Sequence, residues 1–509
     1  MRYIEGENRS QINLFPKCLD EMIDENNIVR IIDALVETFN IEAMNFTHSI
    51  TKSTGRKPYN PKDILKIYIY GYFNGIRSSR KLEKECLRNI EVMWLTNNLS
   101  PDFKTIADFR KDNKQALIEV FKQFNMLCYE LNLIGKEVIV IDGSKFRASN
   151  SRRKNLTKRK VKKIIEHYQE IAEEYVKMLE DSDEKTEEMD IDKTNILNSL
   201  EKVKDKIIEY QEKALEIEKN GEISLTDTDS KHMSVSNNGT DIAHNVQIVV
   251  DRKEHIVVAV DVVSSPADQG QLFRMAEKAI SEMNIDLDSK KENIITVLAD
   301  KGYYKYEDFE KCKKARIKAI VPKQKAPTVD GNREYSKDNF RFDKEKDQYY
   351  CPQNHILKCV SKPTTKTKKY RNAKACKECE HIKKCTRSKT GKVIIRSEHQ
   401  ELYDEVNKTM KDNKELYRER QMIVEHPFGT VKRAFGYTYF LTRGNACVKA
   451  ESFMHFFIYN LKRVINIIGI PRLIGYLRDK IAIIIVKIKI MAVSFKILRN
   501  RHKILMETA

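Results

Sequence analysis

The chain has 509 residues, with 93 Lys and Arg against 74 Asp and Glu and a formal net charge of +19. With 17 Gly, 11 Pro and 41% hydrophobic residues, it is not collagen-like, low-complexity or wholly disordered, and it has material for two to four domains. The opening MRYIEGENRSQINLFPKCLDEMI lacks the apolar segment of a secretory signal, so the chain is expected in the cytoplasm, with its 10 cysteines as thiols or metal ligands. The positive excess favours a polyanionic partner.

In chain order, Asn60 to Asn113 reads as a helical module. Pro61 opens YNPKDILKIYIYGYFNGI, SSRKLEKECLRN begins a second helix, and PDFKTIADFRKDNKQALIEVFKQF carries apolar residues at helical spacing as a third. Arg77, Arg80, Lys81, Arg110 and Lys111 near the turns would suit duplex binding of helix-turn-helix type, and a bundle with a solvated basic face fits equally well. EVIVIDGSKF then reads as a buried strand stopped by Asp142-Gly143. Around Val161–Leu179 and Ile196–Ile217 the apolar residues alternate three and four, which predicts an antiparallel coiled-coil hairpin. IAHNVQIVVD and HIVVAVDVV predict a strand hairpin, followed by a helix from about Gln269 to Met283. NIITVLADKGYY reads as a strand ending at Asp300; the helix YKYEDFEKCKKA and the strand RIKAIVP complete the order β-β-β-α-β-α-β.

Strands adjacent in one sheet would bring Asp142 and Asp300 together. The stretch ELYRERQMIVEHPFGTVKRAFG, read as a helix, offers Glu425, with Lys432 two turns on along the same face. Three clustered carboxylates repel one another unless a cation neutralises them, and hard oxygen ligands suit Mg²⁺ or Mn²⁺, two ions in a phosphoryl-transfer layout. Acids at strand ends are, on spacing alone, usually solvated turn formers. Asp251 and Asp261 end apolar runs as well, Asp268 reads as a helix cap, and Asp227 and Asp229 have no assigned role. His244 and His426 read as surface or hydrogen-bonded histidines rather than bases.

YNPKDILKIYIYGYFNGIRSSRKLEKEC, PDFKTIADFR, VIDGSKFRA, LTDTDSKHM, HNVQIVVD, SSPADQGQL, VLADKGY, RERQMIVEHPFGTVKRAFG and FLTRG follow one another in consistent order over residues 10–465. On these segments the chain resembles the bacterial insertion-sequence DDE transposases. The resemblance implies an α/β fold, a ribonuclease-H-like mixed sheet with helices, preceded by an all-α domain and carrying a coiled-coil hairpin insertion and a Cys-rich insertion. The boundaries are 1–130 for the helical, DNA-binding domain, 131–150 for the first catalytic segment, 151–222 for the hairpin and 223–330 for the continued catalytic domain. The Cys-rich insertion follows at 331–395, the end of the catalytic domain with its glutamate helix at 396–465, and a basic apolar tail at 466–509.

The resemblance places the catalytic, Mg²⁺-binding carboxylates on Asp142, Asp300 and Glu425. Its Tyr-Arg-Glu-Lys signature falls on Tyr417, Arg420, Glu425 and Lys432, except that four residues rather than three separate Arg420 from Glu425. These cations, with Arg418, would grip DNA strand ends. The run from Gly143 to Ile165, which includes Lys145, Arg147, Arg152 and Arg153, has no acid and suits phosphate, and KPTTKTKKYRNAK adds a second basic stretch with Tyr370 for stacking.

Cys376-x2-Cys379 is a zinc half-site that Cys385 and Cys351 would complete, with Cys359 or His381 as substitutes; reduced thiols in a loop-rich insert are the alternative. In KIAIIIVKIKIMAVSFKILRNRHK the longest apolar run, Ile481 to Val486, is too short to span a bilayer, so the segment is expected to be a basic helix packed on the catalytic domain, or a tail. The function expected is a transposase acting as a dimer on double-stranded DNA, both terminal inverted repeats and target. A non-catalytic DNA-binding descendant, or a nuclease that cuts without joining, is the alternative.

Overall fold

The computed structural model describes residues 18–507 except 52–53, 55–56, 184–189, 236–238, 286–294, 325–328, 331–332 and 362–366, and describes no side chains at 152, 181–183, 190–193, 220 and 491–507. The chain opens with helices α1 (Ile28–Glu37), α2 (Pro61–Phe73), α3 (Ser79–Arg88), α4 (Ile90–Thr96), α5 (Phe103–Asp112) and α6 (Lys114–Glu130). Local chemistry sets their starts. Asn60 caps α2 by accepting from the Lys62 amide, with Pro61 as first helical residue, and Asp102 caps α5 through the Lys104 and Thr105 amides. The third expected helix is in fact two, because the buried Asn113 carboxamide accepts from the Thr47 amide and donates to the Phe109 carbonyl, breaking the helix there.

Strand β1 (Val138–Arg147) starts the sheet. A short pair, β2 (Asn155–Thr157) and β3 (Glu222–Ser224), closes the base of two long helices that pack on each other, α7 (Lys158–Asp183) and α8 (Asp190–Asn220). The sheet resumes with β4 (Lys231–Val235), β5 (Gly239–Asp251) and β6 (Val257–Val263), then α9 (Leu272–Glu282), β7 (Ile295–Ala299), α10 (Tyr306–Lys314) and β8 (Ile317–Ile320). Its order is β4-β5-β1-β7-β8, with β6 also paired to β5; β4, β5, β6 and β1 pair antiparallel, and β1, β7 and β8 run parallel.

The segment read as a Cys-rich insert folds into a second, five-stranded antiparallel sheet that its sequence did not announce. Its strands are β9 (Arg341–Asp343), β10 (Gln348–Tyr350), β11 (Ile356–Cys359), β12 (Thr367–Arg371) and β13 (Val393–Ser397), with the short helices α11 (Ala373–Lys377) and α12 (Ile382–Cys385) between the last two. Helices α13 (Gln400–Asp412) and α14 (Lys414–Gly429) follow, the latter running into a wide helical turn at Thr430–Ala434, and then α15 (Asn445–Ile468) and α16 (Ile470–Glu507).

Helix α15 is buried along nearly its whole length and joins the helical region to the sheet, packing on α6 and β6. Phe453 meets Phe121 and Phe457 meets Phe124 edge to face, each at 5.1 Å. Asn460 bonds both the amide and the carbonyl of Val257 and the carboxamide of Asn125. One apolar core therefore runs from α1 through the sheet to Leu477. The start of α16 packs on α1 and α15, so this helix leans on the helical region rather than on the sheet as expected. Among the described residues no helix is long and apolar enough to cross a membrane.

Candidate active site

β1 and β7 are parallel neighbours in which Ile141 pairs with Ala299, so Asp142 and Asp300 follow side by side at one level of the sheet. Asp142 does not end its strand as expected. β1 continues to Arg147 because β5 keeps pairing with it as far as Ala243, and Asp142 sits mid-strand opposite Ile248. Asp300 does leave its strand: it caps a short turn at Lys301–Tyr303 by accepting from the Gly302 amide at 2.6 Å. Burial pushes the Asp142 carboxyl up to about 6, Asp300 and Asp268 add to the rise, and Arg420 opposes it with Nη1 3.9 Å from Asp142 Oδ1.

This raised value makes Asp142 a liability to the fold. Below pH about 4 the group holds its proton folded or unfolded. Between there and about 6 the folded chain keeps a proton that the unfolded chain loses, so stability falls as pH rises, and above about 6 the full penalty applies. Asp142→Asn is therefore expected to stabilise the cation-free protein at pH 7 by roughly 1–3 kcal/mol, and to leave it unchanged near pH 4, in urea titrations at the two pH values. Equal midpoints for the variant and the parent at pH 7 would contradict this.

Helix α14 packs across β1 and β7 and brings Tyr417 and Arg420 to the two aspartates. Arg420 Nη1 is buried without a hydrogen-bond partner and lies beside the Tyr417 ring, 5.8 Å from centroid to guanidinium. Glu425 is not gathered with them. It is exposed and accepts from Gln421 at 2.7 Å. The reason lies in the signature's extra residue: five positions on from Arg420 is about 140° around a helix. The position one residue earlier holds the buried Val424. Among the described residues no three His, Cys, Asp or Glu side chains are grouped closely enough to hold one ion.

The basic candidates divide. Lys432 turns inward, donating to Ser144 Oγ at 2.6 Å and the Lys145 carbonyl at 2.7 Å above the Phe146 ring, and burial and then Lys145 pull its ammonium down to about 8. It braces the strand beyond Asp142. Lys145 is held by Asp268 at 3.0 Å. Arg418 is exposed and paired with Glu415, and Arg147 and Arg153 are exposed; the Arg152 side chain lies outside the described residues. Tyr370 is fully buried with its hydroxyl on Asp347, which removes it as a stacking platform. Arg77 is buried on the Tyr439 carbonyl and Glu451, and Arg110 is turned toward Tyr72 and Glu451, so neither is free for DNA. Arg80, Lys81 and Lys111 are exposed.

A polar network that the sequence reading missed adjoins the aspartates. Asp268 accepts from Lys145, from Asn245 at 2.8 Å and from Gln247 at 2.7 Å, and Gln247 in turn accepts from the Tyr303 hydroxyl in the turn that Asp300 caps. A Cβ on Gly143 would collide with the Gln247 amide and stand 2.7 Å from Asp268 Oδ1, which is why glycine follows Asp142. The available signal was polar Asn245 and Gln247 two apart, next to His244, in a stretch that is apolar elsewhere from Ile242 to Val250, both fully buried on one face. Asp227 bonds His244 at 2.9 Å and the Gly444 amide, and Asp229 accepts from the Asn445 amide, so this pair of acids ties down the start of α15. Asp251 closes a turn through three amides and Asp261 is neutralised by Arg274, Lys278 and Lys449. His426 bonds the Tyr459 hydroxyl.

In the second sheet, Cys351, Cys376, Cys379 and Cys385 line one cavity of about 30 Å³, together with His355. Cys359 packs against the apolar cluster of that sheet, and His381 stacks on Tyr335 at 5.9 Å.

Residues 17–112 match the family described as Transposase domain (DUF772), and residues 350–465 match the Transposase DDE domain. Both matches are to transposase domains, the second of the DDE type. In this transposase the second match contains Tyr417, Arg420, Glu425 and Lys432, whereas Asp142 and Asp300 lie between the two matches. No curated protein matches the chain. Among solved structures, the piggyBac transposase synaptic complex with hairpin DNA, a cryo-EM structure, is similar at 8% identity. The alignment covers 89% of this chain and 76% of that one with a TM-score of 0.26.

Proposed function

We propose that this transposase cuts and joins DNA strands at the terminal inverted repeats of its element, through a site built on Asp142 and Asp300. The observation that carries the reading is their adjacency, in and just past neighbouring parallel strands, with Arg420 Nη1 3.9 Å from Asp142 and without a hydrogen-bond partner. The order β6-β5-β1-β7-β8, antiparallel in its first half and parallel in its second, supports a ribonuclease-H-like catalytic domain. Two adjacent carboxylates, one of them raised chiefly by burial and further by its acidic neighbours, fit a divalent cation; Asp142 and Asp300 would hold Mg²⁺ or Mn²⁺, with Glu425 as third ligand. When bound, two such ions supply Lewis-acid stabilisation of the reacting phosphodiester. Arg420, whose Nη1 has no hydrogen-bond partner, presents that donor to the phosphate, and the Asp268 network fixes the strand and the turn that carry the aspartates.

The helical pair α7–α8, with its heptad pattern, would serve as a coiled-coil arm that pairs two copies on DNA. The exposure of Glu425 favours a second reading, a DNA-binding descendant that no longer cuts. Incubating labelled element ends and target DNA with Mg²⁺ separates the cases: joined product supports the proposal, nicks alone indicate a nuclease, and bound, uncut DNA supports the second reading.

We propose that Cys351, Cys376, Cys379 and Cys385, which line one cavity without being drawn into a metal-holding group in this structure, would close around a structural Zn²⁺. Metal analysis of the purified protein is expected to give one zinc per chain, falling to well under half in Cys379→Ser; zinc-free protein with a cooperative melt would refute the assignment.

A further inference from the structure

The second sheet has one covered and one open face. Leu357, Tyr370, Ile394 and Tyr349 point into a buried cluster, and Leu357 shares the cysteine-lined cavity with residues of α11 and α12. On the opposite face, strand pairing sets Lys358 directly across from Arg371, and Lys369 follows two residues along β12, about 7 Å away. All three are exposed, and among the described residues none meets a carboxylate. Like charges directly opposite on a sheet repel and destabilise it, so nothing within the described fold explains this pairing. The same face carries Arg341 stacked over Tyr350 at 4.7 Å and exposed Ile356, Val393 and Ile395. Lys358 and Arg371 stand in one row with Asp343, Gln348 and Val393, across all five strands, with the acid at the far edge and two strands away from Lys358.

We propose that this open face is a second DNA-docking surface, on which Lys358, Lys369 and Arg371 grip the backbone of duplex DNA while the flanking aliphatic side chains lie against its sugars. The inference rests on the transposase reading and adds a binding surface on a sheet separate from the one that carries the aspartates. A run of phosphates supplies the row of negative charge that the described fold does not, and it relieves the repulsion between Lys358 and Arg371. The surface recognises charge and shape, so it would bind DNA with little regard to sequence.

The test is fluorescence anisotropy of the full chain with a labelled duplex of arbitrary sequence, titrated over a range of salt concentrations. Every phosphate that a variant no longer neutralises reduces the slope of log affinity against log salt by about 0.9, so Lys358→Glu/Lys369→Glu/Arg371→Glu is expected to bind at least about tenfold more weakly, with a slope smaller by about 2–3. The neutral variant Lys358→Gln guards against misfolding: it should melt no lower than the parent without DNA and still bind more weakly. Unchanged affinity and slope in the triple variant, with the parent binding, would overturn the surface alone. A parent chain with no salt-dependent DNA binding would overturn the DNA reading as well.

Discussion

Asp300→Ala is expected to slow strand joining by about 10²–10³-fold, while leaving DNA binding within about twofold. Removing one preorganised electrostatic interaction from an enzyme site costs about 10²–10³ in rate, and this substitution removes one of two adjacent carboxylates from the proposed cation site. The Asp300 side chain also caps the Lys301–Tyr303 turn, so Asp300→Asn is the sharper variant: it keeps an acceptor for the Gly302 amide and loses only the charge. Gel assays of cleavage and joining beside anisotropy measurements separate the two effects. Joining at the parent rate in Asp300→Asn would show that the charge is not used.

The largest effect on stability is expected at Glu451. This carboxylate is wholly buried and accepts from the Leu441 and Thr442 amides, from the Thr442 hydroxyl at 2.7 Å and from Arg77 at 3.3 Å. Arg77 in turn stacks on Tyr437 and Tyr439, and Arg110 feels the same carboxylate, so a single acid ties α2–α5 to the loop before α15. Glu451→Ala leaves buried guanidinium without its counter-charge and is expected to cost about 3–5 kcal/mol. Glu451→Gln keeps the shape and some of the bonds and should lose less. Chemical denaturation reads both, and an unchanged midpoint for Glu451→Ala would contradict the role given to it.

These residues also mark where the sequence could be read. Apolar runs closed by Asp142 and by Asp300 identified two strands and two carboxylates, and the parallel register brings both to one level of the sheet because each follows a run of similar length. Heptad spacing foretold two long helices, and α7 and α8 pack together there. What stayed illegible depends on partners distant in the chain. Arg77 looked like a DNA-binding residue because its partners, Tyr439 and Glu451, lie 362 and 374 residues away. Asp142-Gly143 looked like a strand end because the glycine serves a different need, clearance for Gln247 and Asp268. The second sheet was missed because its strands are only three to five residues long, with a one-sided apolar pattern too short to stand out. The facing of Glu425 turned on a single inserted residue, whose consequence appears only once α14 is docked on β1 and β7.

Asp142, Asp300 and Glu425 are proposed to bind divalent cations jointly when DNA is engaged. The direct measurement is an experimental structure of the transposase with Mn²⁺ and an element end, with the metal located by its anomalous signal. Metal is expected between Asp142 and Asp300 at about 2.1 Å from their oxygens, with Glu425 released from Gln421 and turned onto it. Metal absent from that position, with Glu425 still bonded to Gln421 in the DNA complex, would contradict it.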